Sequence, residues 1–219
     1  MDFINGGISG MVEVAATQPL EVCKIRIQTS MGMPRALHQF YRGMVPRLAG
    51  IVPTRCVFWG VQRYIQRTQT WIVDENARAV VAGASAGVLQ TVVDTPFDRL
   101  KTHLITQRGG ARHPIALGSM YRGFGWSLPR NAIFASCVAL GVARPADTPA
   151  QTAAGAAAGA TVGCVLSQPL DTMRTIAQAA GVRVRPPLFS GLLPRIMVSN
   201  ATMFVGSWTV RVLEELTPR

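Results

Sequence analysis

Apolar and polar positions alternate along this chain in long blocks rather than at the short period of a strand. Positions 148–170 run 23 residues without a charge, enough to cross a bilayer core of about 30 Å as a helix. The runs 79–93, 131–143 and 196–210 are shorter, uncharged and bounded by charge. Repeated in one chain, such runs read as spans whose ends carry the charges. Small residues sit one helical turn apart in Gly6, Ser9 and Gly10, again in Gly83 to Gly87, and again in Gly155 to Gly159. Each strip gives a flat face on which a neighbouring helix approaches closely.

A short motif follows each strip. Gln18-Pro19-Leu20-Glu21-Val22-Cys23-Lys24, Thr95-Pro96-Phe97-Asp98-Arg99-Leu100-Lys101 and Gln168-Pro169-Leu170-Asp171-Thr172-Met173-Arg174 all place an acid two residues after a proline and a base three beyond that. Chance alone gives this pattern about 0.07 times in a chain of this composition. Its three copies have prolines 77 and 73 residues apart, so the chain is an internal repeat. The proline removes a backbone hydrogen bond and kinks or ends a regular helix, and acid and base then lie on nearly the same helix face. Tyr41-Arg42-Gly43 and Tyr121-Arg122-Gly123 open a second apolar segment in two repeats, and Phe189-Ser190-Gly191 does so in the third. Each repeat is thus expected to be two helices, giving an all-α membrane protein of six helices with repeats at 1–70, 71–147 and 148–219.

Composition sharpens this picture. Hydrophobic residues make up 48% and charged residues 15%, with a positive mean hydropathy, which argues against a soluble domain. The formal charge of +11 raises nucleic-acid binding, but the bases punctuate apolar segments instead of clustering on a polar face or arm, so no nucleic-acid partner is expected. Cys23, Cys56, Cys137 and Cys164 form no CxxC pair and read as buried small hydrophobes. His38, His103 and His113 have no metal-ligand spacing, and no phosphate-binding loop or hydrolase motif occurs. No metal, cofactor or enzymatic activity is expected. The chain runs directly from Met1 into Gly6-Gly7-Ile8-Ser9-Gly10, so no cleavable signal peptide is expected.

Charge placement suggests an orientation. Lys24, Arg26, Arg35, Arg42 and Arg47 lie between the first helix and the second, and Lys101, Arg108, Arg112 and Arg122 occupy the corresponding stretch of the second repeat. Arg174, Arg183, Arg185 and Arg195 do so in the third, whereas the opposite ends mix both signs. By the positive-inside tendency all three motif loops face one compartment, and both termini face the other.

With these residues in view, the whole chain resembles the mitochondrial carrier family. That family's signature is P-x-[DE]-x-x-[KR] at the end of each odd helix, small-residue strips before it, and an aromatic-basic-Gly opening of each even helix. The resemblance implies six tilted helices in threefold pseudosymmetry around a central water-filled cavity, and transport by alternating access. It implies inter-repeat gate pairs of Glu21 with Lys101, Asp98 with Arg174 and Asp171 with Lys24 when the matrix side is closed. The physical logic is independent of the family: six charges at membrane depth are costly unless paired or in water. The competing reading pairs each acid with the base on its own helix, which is worth only about 0.2–0.5 kcal/mol and leaves the proline unexplained. A glutamine four residues after the base braces such a pair in the family; Gln28 and Gln178 stand there, and Ile105 in the second repeat. The resemblance also implies the mitochondrial inner membrane, with peroxisomal and plastid members known, a monomer, and lipid partners such as cardiolipin.

Departures from the family matter too. The repeats are near 75 residues rather than about 100, and the family's short matrix helix with its acid-Gly pair is missing from 29–40, 102–120 and 175–189. A second gate near the end of each even helix falls on Arg63/Gln66, Ala143/Ala146 and Val210/Leu213, none an acid-base pair. A carrier biased towards the outward-open state is expected. The family's substrate contacts fall seven residues after each opening glycine, on Gly50, on Arg130 with Asn131 beside it, and on Val198. An Arg at mid-membrane faces a cavity, finds a partner or snorkels to an interface, and its fork suits a carboxylate or phosphate. Arg55 is a second anion candidate. Glu13 is a buried acid that would pair with Arg130 or Arg55, bind a coupled proton, or partner a neighbouring helix. A carrier of a small anionic solute, a keto acid or a di- or tricarboxylate, is the leading reading. A nucleotide or deoxynucleotide carrier and a non-transporting membrane scaffold are the alternatives.

Overall fold

The computed structural model describes residues 2–68, 72–107, 117–143, 148–179 and 186–216. They form six α-helices: α1 (Asp2–Gln28), α2 (Met44–Thr68), α3 (Glu75–Thr106), α4 (Phe124–Val142), α5 (Pro149–Gln178) and α6 (Leu192–Leu216). Single 3₁₀ turns at Leu37–Tyr41 and Leu117–Ser119 precede α2 and α4, and no strand occurs among the described residues. Where the family keeps a short helix, the first repeat therefore has one tight turn.

Local chemistry fixes several boundaries. The Asp74 side chain accepts from the Asn76 N–H and caps α3, satisfying a donor left free at the helix start. Thr148 and Gln151 form a reciprocal capping box at the start of α5, with Pro149 in the first turn. Pro19, Pro96 and Pro169 lie inside α1, α3 and α5, and none of them ends its helix. Gly43, Gly123 and Gly191 open the even helices at φ of 79°, 88° and 75°, a left-handed conformation that only glycine adopts freely.

Consecutive helices pack on one another, and α6 returns to α1, so the six close into a ring. The small-residue strip of α3 sits against α4: a Cβ at Gly87 would stand 2.6 Å from the Asn131 carbonyl oxygen. The opening glycines repeat a second contact cyclically. A Cβ at Gly43 would lie 3.0 Å from the Lys101 carbonyl oxygen on α3, one at Gly123 would lie 3.1 Å from Gln178 on α5, and one at Gly191 would lie 3.1 Å from Gln28 on α1.

The ring is polar inside and apolar outside. On α3, Thr91, Thr95, Asp98 and Lys101 are buried while Val81, Val88, Leu89 and Val92 are exposed. On α5, Gln168, Asp171 and Gln178 are buried while Val162, Val165 and Leu166 are exposed. A water-soluble core has the reverse arrangement. Among the described residues, no helix is long and apolar enough to cross a membrane, which corrects the expectation drawn from the run 148–170. That run lies within α5, but alanine, glycine, threonine and glutamine fill much of it. A helix that turns a polar face to the ring interior needs only part of its circumference apolar.

Candidate functional site

Three ion pairs join the odd helices near the ends that carry the motifs. Lys101 Nζ on α3 lies 3.2 Å from Glu21 Oε1 on α1. Arg174 on α5 pairs with Asp98 on α3. Lys24 Nζ on α1 lies 2.9 Å from Asp171 Oδ2 on α5. Each pair links one repeat to another, and together they close a triangle. Lys101 also reaches Asp98 Oδ1 on its own helix at 2.7 Å, so in the second repeat the local pairing and the inter-repeat pairing coexist. All six side chains are nearly or fully withdrawn from solvent, where removing one member of a pair costs about 3–5 kcal/mol.

The two glutamines four residues after the bases differ in what they touch, and Gln28 is the one on a gate carboxylate. Gln28 Nε2 donates to Asp171 Oδ2 at 2.8 Å, and Gln178 Oε1 accepts from Thr102 at 3.5 Å. In the second repeat Ile105 is fully buried and packs on Val22 and Ile25, an apolar contact in place of a hydrogen bond.

Beside the triangle lies a cavity of about 280 Å³. Glu21, Lys24, Asp98, Lys101 and Arg174 form part of its wall, with Glu13, Gly50, Arg55, Arg130 and Val198 elsewhere on it. Arg130 Nε lies 3.0 Å from Asp171 Oδ1, and its Nη1 donates to Asn131 Oδ1 at 2.5 Å. Arg55 pairs with Glu13, and that partnership leaves neither charge uncompensated. Asn131 is not on the cavity wall; its Nδ2 donates to Thr91 Oγ1 at 2.9 Å between α3 and α4. A Cβ at Gly50 would stand 2.7 Å from the Phe97 ring, so that glycine makes room for a side chain of α3. Arg63 makes no ion pair among the described residues, while Ala146 and the side chains of Val210 and Leu213 lie outside them.

The wall also carries Asp94, and Arg47 and Arg195, which were expected between the helices but stand inside α2 and α6. Arg47 donates to Gln18 Oε1 at 3.4 Å and to Thr17 Oγ1 at 3.2 Å. Arg195 donates to Gln168 Oε1 at 3.0 Å and to Ser167 Oγ at 2.6 Å. Both arginines stand four residues after an opening glycine, and that shared offset was the signal available in the sequence. Among the described residues, no group of His, Cys, Asp and Glu could hold a metal ion.

The described residues form a ring of six helices, tied at one end by charge pairs and enclosing a charged cavity, and comparisons show which proteins this chain is similar to. The family model described as mitochondrial carrier protein matches residues 1–71. The chain is 31% identical over 186 residues to Protein dif-1 of Caenorhabditis elegans, covering 65% of this chain and 58% of that protein. It is 30% identical over 143 residues to the probable S-adenosylmethionine carrier 2, chloroplastic, of Arabidopsis thaliana, covering 60% and 41%. The mitochondrial 2-oxodicarboxylate carrier of Bos taurus is 27% identical over 165 residues, covering 60% and 55%. Residues 1–71 thus match the mitochondrial carrier model, and the chain is similar to proteins named as mitochondrial or chloroplast carriers. It spans about half the length of the curated relatives it matches.

Proposed function

We propose that this chain is a six-span carrier of the mitochondrial inner membrane that moves a small carboxylate by alternating access. Its three two-helix repeats are arranged with threefold pseudosymmetry, and the motif loops face the matrix. The observation that carries this reading is the triangle of ion pairs. Glu21–Lys101, Asp98–Arg174 and Asp171–Lys24 each tie one odd helix to another, at the end of a cavity whose wall includes five of these six residues. They form the matrix-side gate, braced by Gln28 and Gln178 and positioned by the helix segments that follow Pro19, Pro96 and Pro169. With these pairs made, the cavity belongs to the state open to the outer face. No second set of charge pairs opposes them among the described residues.

Arg130 is the principal ligand for the substrate carboxylate. Its guanidinium lies on the cavity wall and touches Asp171, so it links the binding site to the gate. Gly50 and Val198 shape the wall, and Asn131 holds the Arg130 side chain in place. The Glu13–Arg55 pair argues against the nucleotide reading, because Arg55 already has a carboxylate partner. The intact charges of all three motifs argue against a scaffold that no longer transports. The mitochondrial 2-oxodicarboxylate carrier among its relatives fits the carboxylate reading.

The test is uptake by proteoliposomes loaded and challenged with oxo acids, di- and tricarboxylates and nucleotides. Saturable uptake of a small carboxylate is expected. Uptake of nucleotides alone, or of nothing by correctly inserted protein, contradicts the reading.

A further inference from the structure

The second repeat breaks a pattern that the first and third share. Two residues before the motif proline stand Thr17, Asp94 and Ser167, and four residues after the opening glycine stand Arg47, Ser127 and Arg195. In the outer repeats the arginine donates to the hydroxyl of Thr17 or Ser167. In the middle repeat both members change together: an acid replaces the hydroxyl, and a serine replaces the arginine. Ser127 bonds back to the Gly123 carbonyl instead. Asp94 therefore carries a negative charge where its counterparts are neutral, with a serine on α4 where the outer repeats have an arginine.

Asp94 lies on the cavity wall with its side chain 23% exposed. The cation nearest to it is Arg174, at 4.0 Å, beyond hydrogen-bond length. That arginine is already engaged by Asp98, one turn further along α3. The wall carries seven bases and four acids, with Asp171 behind it answering both Lys24 and Arg130, so positive charge is in excess there while Asp94 is the wall acid with no base closer than 4.0 Å among the described residues. A ligand with negative charge alone would answer the arginines and leave Asp94 facing another anion.

We propose that the transported solute is an amino dicarboxylate, with its ammonium group received by Asp94 and its carboxylates by the arginines led by Arg130. This rests on the carboxylate-carrier reading and narrows it. Asp94 is then the residue that separates an amino acid from the oxo acid of the same carbon skeleton. A carboxylate suits this task because an ammonium brings three donors and no acceptor, and charge-assisted hydrogen bonds are roughly twice as strong as neutral ones.

The experiment compares uptake of labelled L-glutamate and 2-oxoglutarate, which share a skeleton and differ at the ammonium, in proteoliposomes holding the full chain. The wild type is expected to favour glutamate. Asp94→Asn should lower the ratio of glutamate to 2-oxoglutarate uptake at least tenfold, and Asp94→Glu should keep most of that preference. Thermal unfolding in detergent separates this change of selectivity from misfolding. A wild type that carries 2-oxoglutarate at least as well as glutamate overturns the proposal but leaves a carboxylate carrier standing. So does an Asp94→Asn variant with correct folding and an unaltered ratio. Uptake of no carboxylate by the wild type sinks both readings together.

Discussion

Arg130 on α4 holds its Nε 3.0 Å from Oδ1 of Asp171 on α5, while Lys24 on α1 takes the other oxygen at 2.9 Å. One fully buried carboxylate thus joins the cavity to the gate. A substrate carboxylate drawn to Arg130 competes with Asp171 for the same guanidinium. In the proposed mechanism, when it wins, Asp171 loses a cation that helps to stabilise its charge away from water, and the closed arrangement weakens. In that mechanism, binding and opening are coupled through a single side chain.

Arg130→Ala should reduce uptake to the background of empty liposomes. Arg130→Lys keeps the charge but loses the planar two-point fork, so KM should rise more than the maximal rate falls. Initial rates across a range of substrate concentrations check both. Full activity of the alanine variant would remove Arg130 from the site.

Glu13 and Arg55 neutralise each other across α1 and α2. Glu13→Gln leaves the arginine without its carboxylate and should lower the unfolding temperature in detergent. Glu13→Gln combined with Arg55→Gln removes both charges and should recover much of that loss, because the penalty lies in the unpaired charge. Thermal shift measurements on the three proteins suffice.

Gly87 permits α3 to meet the backbone of α4, where an added Cβ would stand 2.6 Å from the Asn131 carbonyl oxygen. Neither backbone has a flexible end to move aside. Gly87→Val should therefore separate the two helices, at a cost of about 1–3 kcal/mol or more for overpacking, and lower the yield of folded protein. Size-exclusion profiles and unfolding temperatures would reveal it. The same substitution at Gly125, which has nothing within 4 Å of an added Cβ, should have a smaller effect.

Much of the architecture was legible because it rests on local chemistry. The motif prolines, the small-residue strips and the opening glycines mark where six helices lie. Elements of the cavity were harder to read. Asp94 and Ser127 acquire meaning only beside Arg47 and Arg195, whose hydrogen bonds to Thr17 and Ser167 exist only in three dimensions. Asn131 followed Arg130 in sequence, but helical rotation turns it towards Thr91 on α3 rather than onto the cavity wall. Hydropathy failed for a related reason: α5 is free of charge across 148–170, yet its buried Ser167 and Gln168 serve an interior that needs polar groups.

The gate claim has a direct test in the accessibility of the cavity from each face. Thr202, on the cavity wall, is replaced by cysteine in a background freed of the four native cysteines, and a membrane-impermeant thiol reagent is applied from either side of the liposome. With the gate intact, labelling should come only from the face opposite the motif loops. Adding Glu21→Gln, Asp98→Asn and Asp171→Asn together should admit the reagent from the motif side as well. Labelling from the motif side with all three ion pairs intact, or none from that side after their removal in folded protein, would contradict the account.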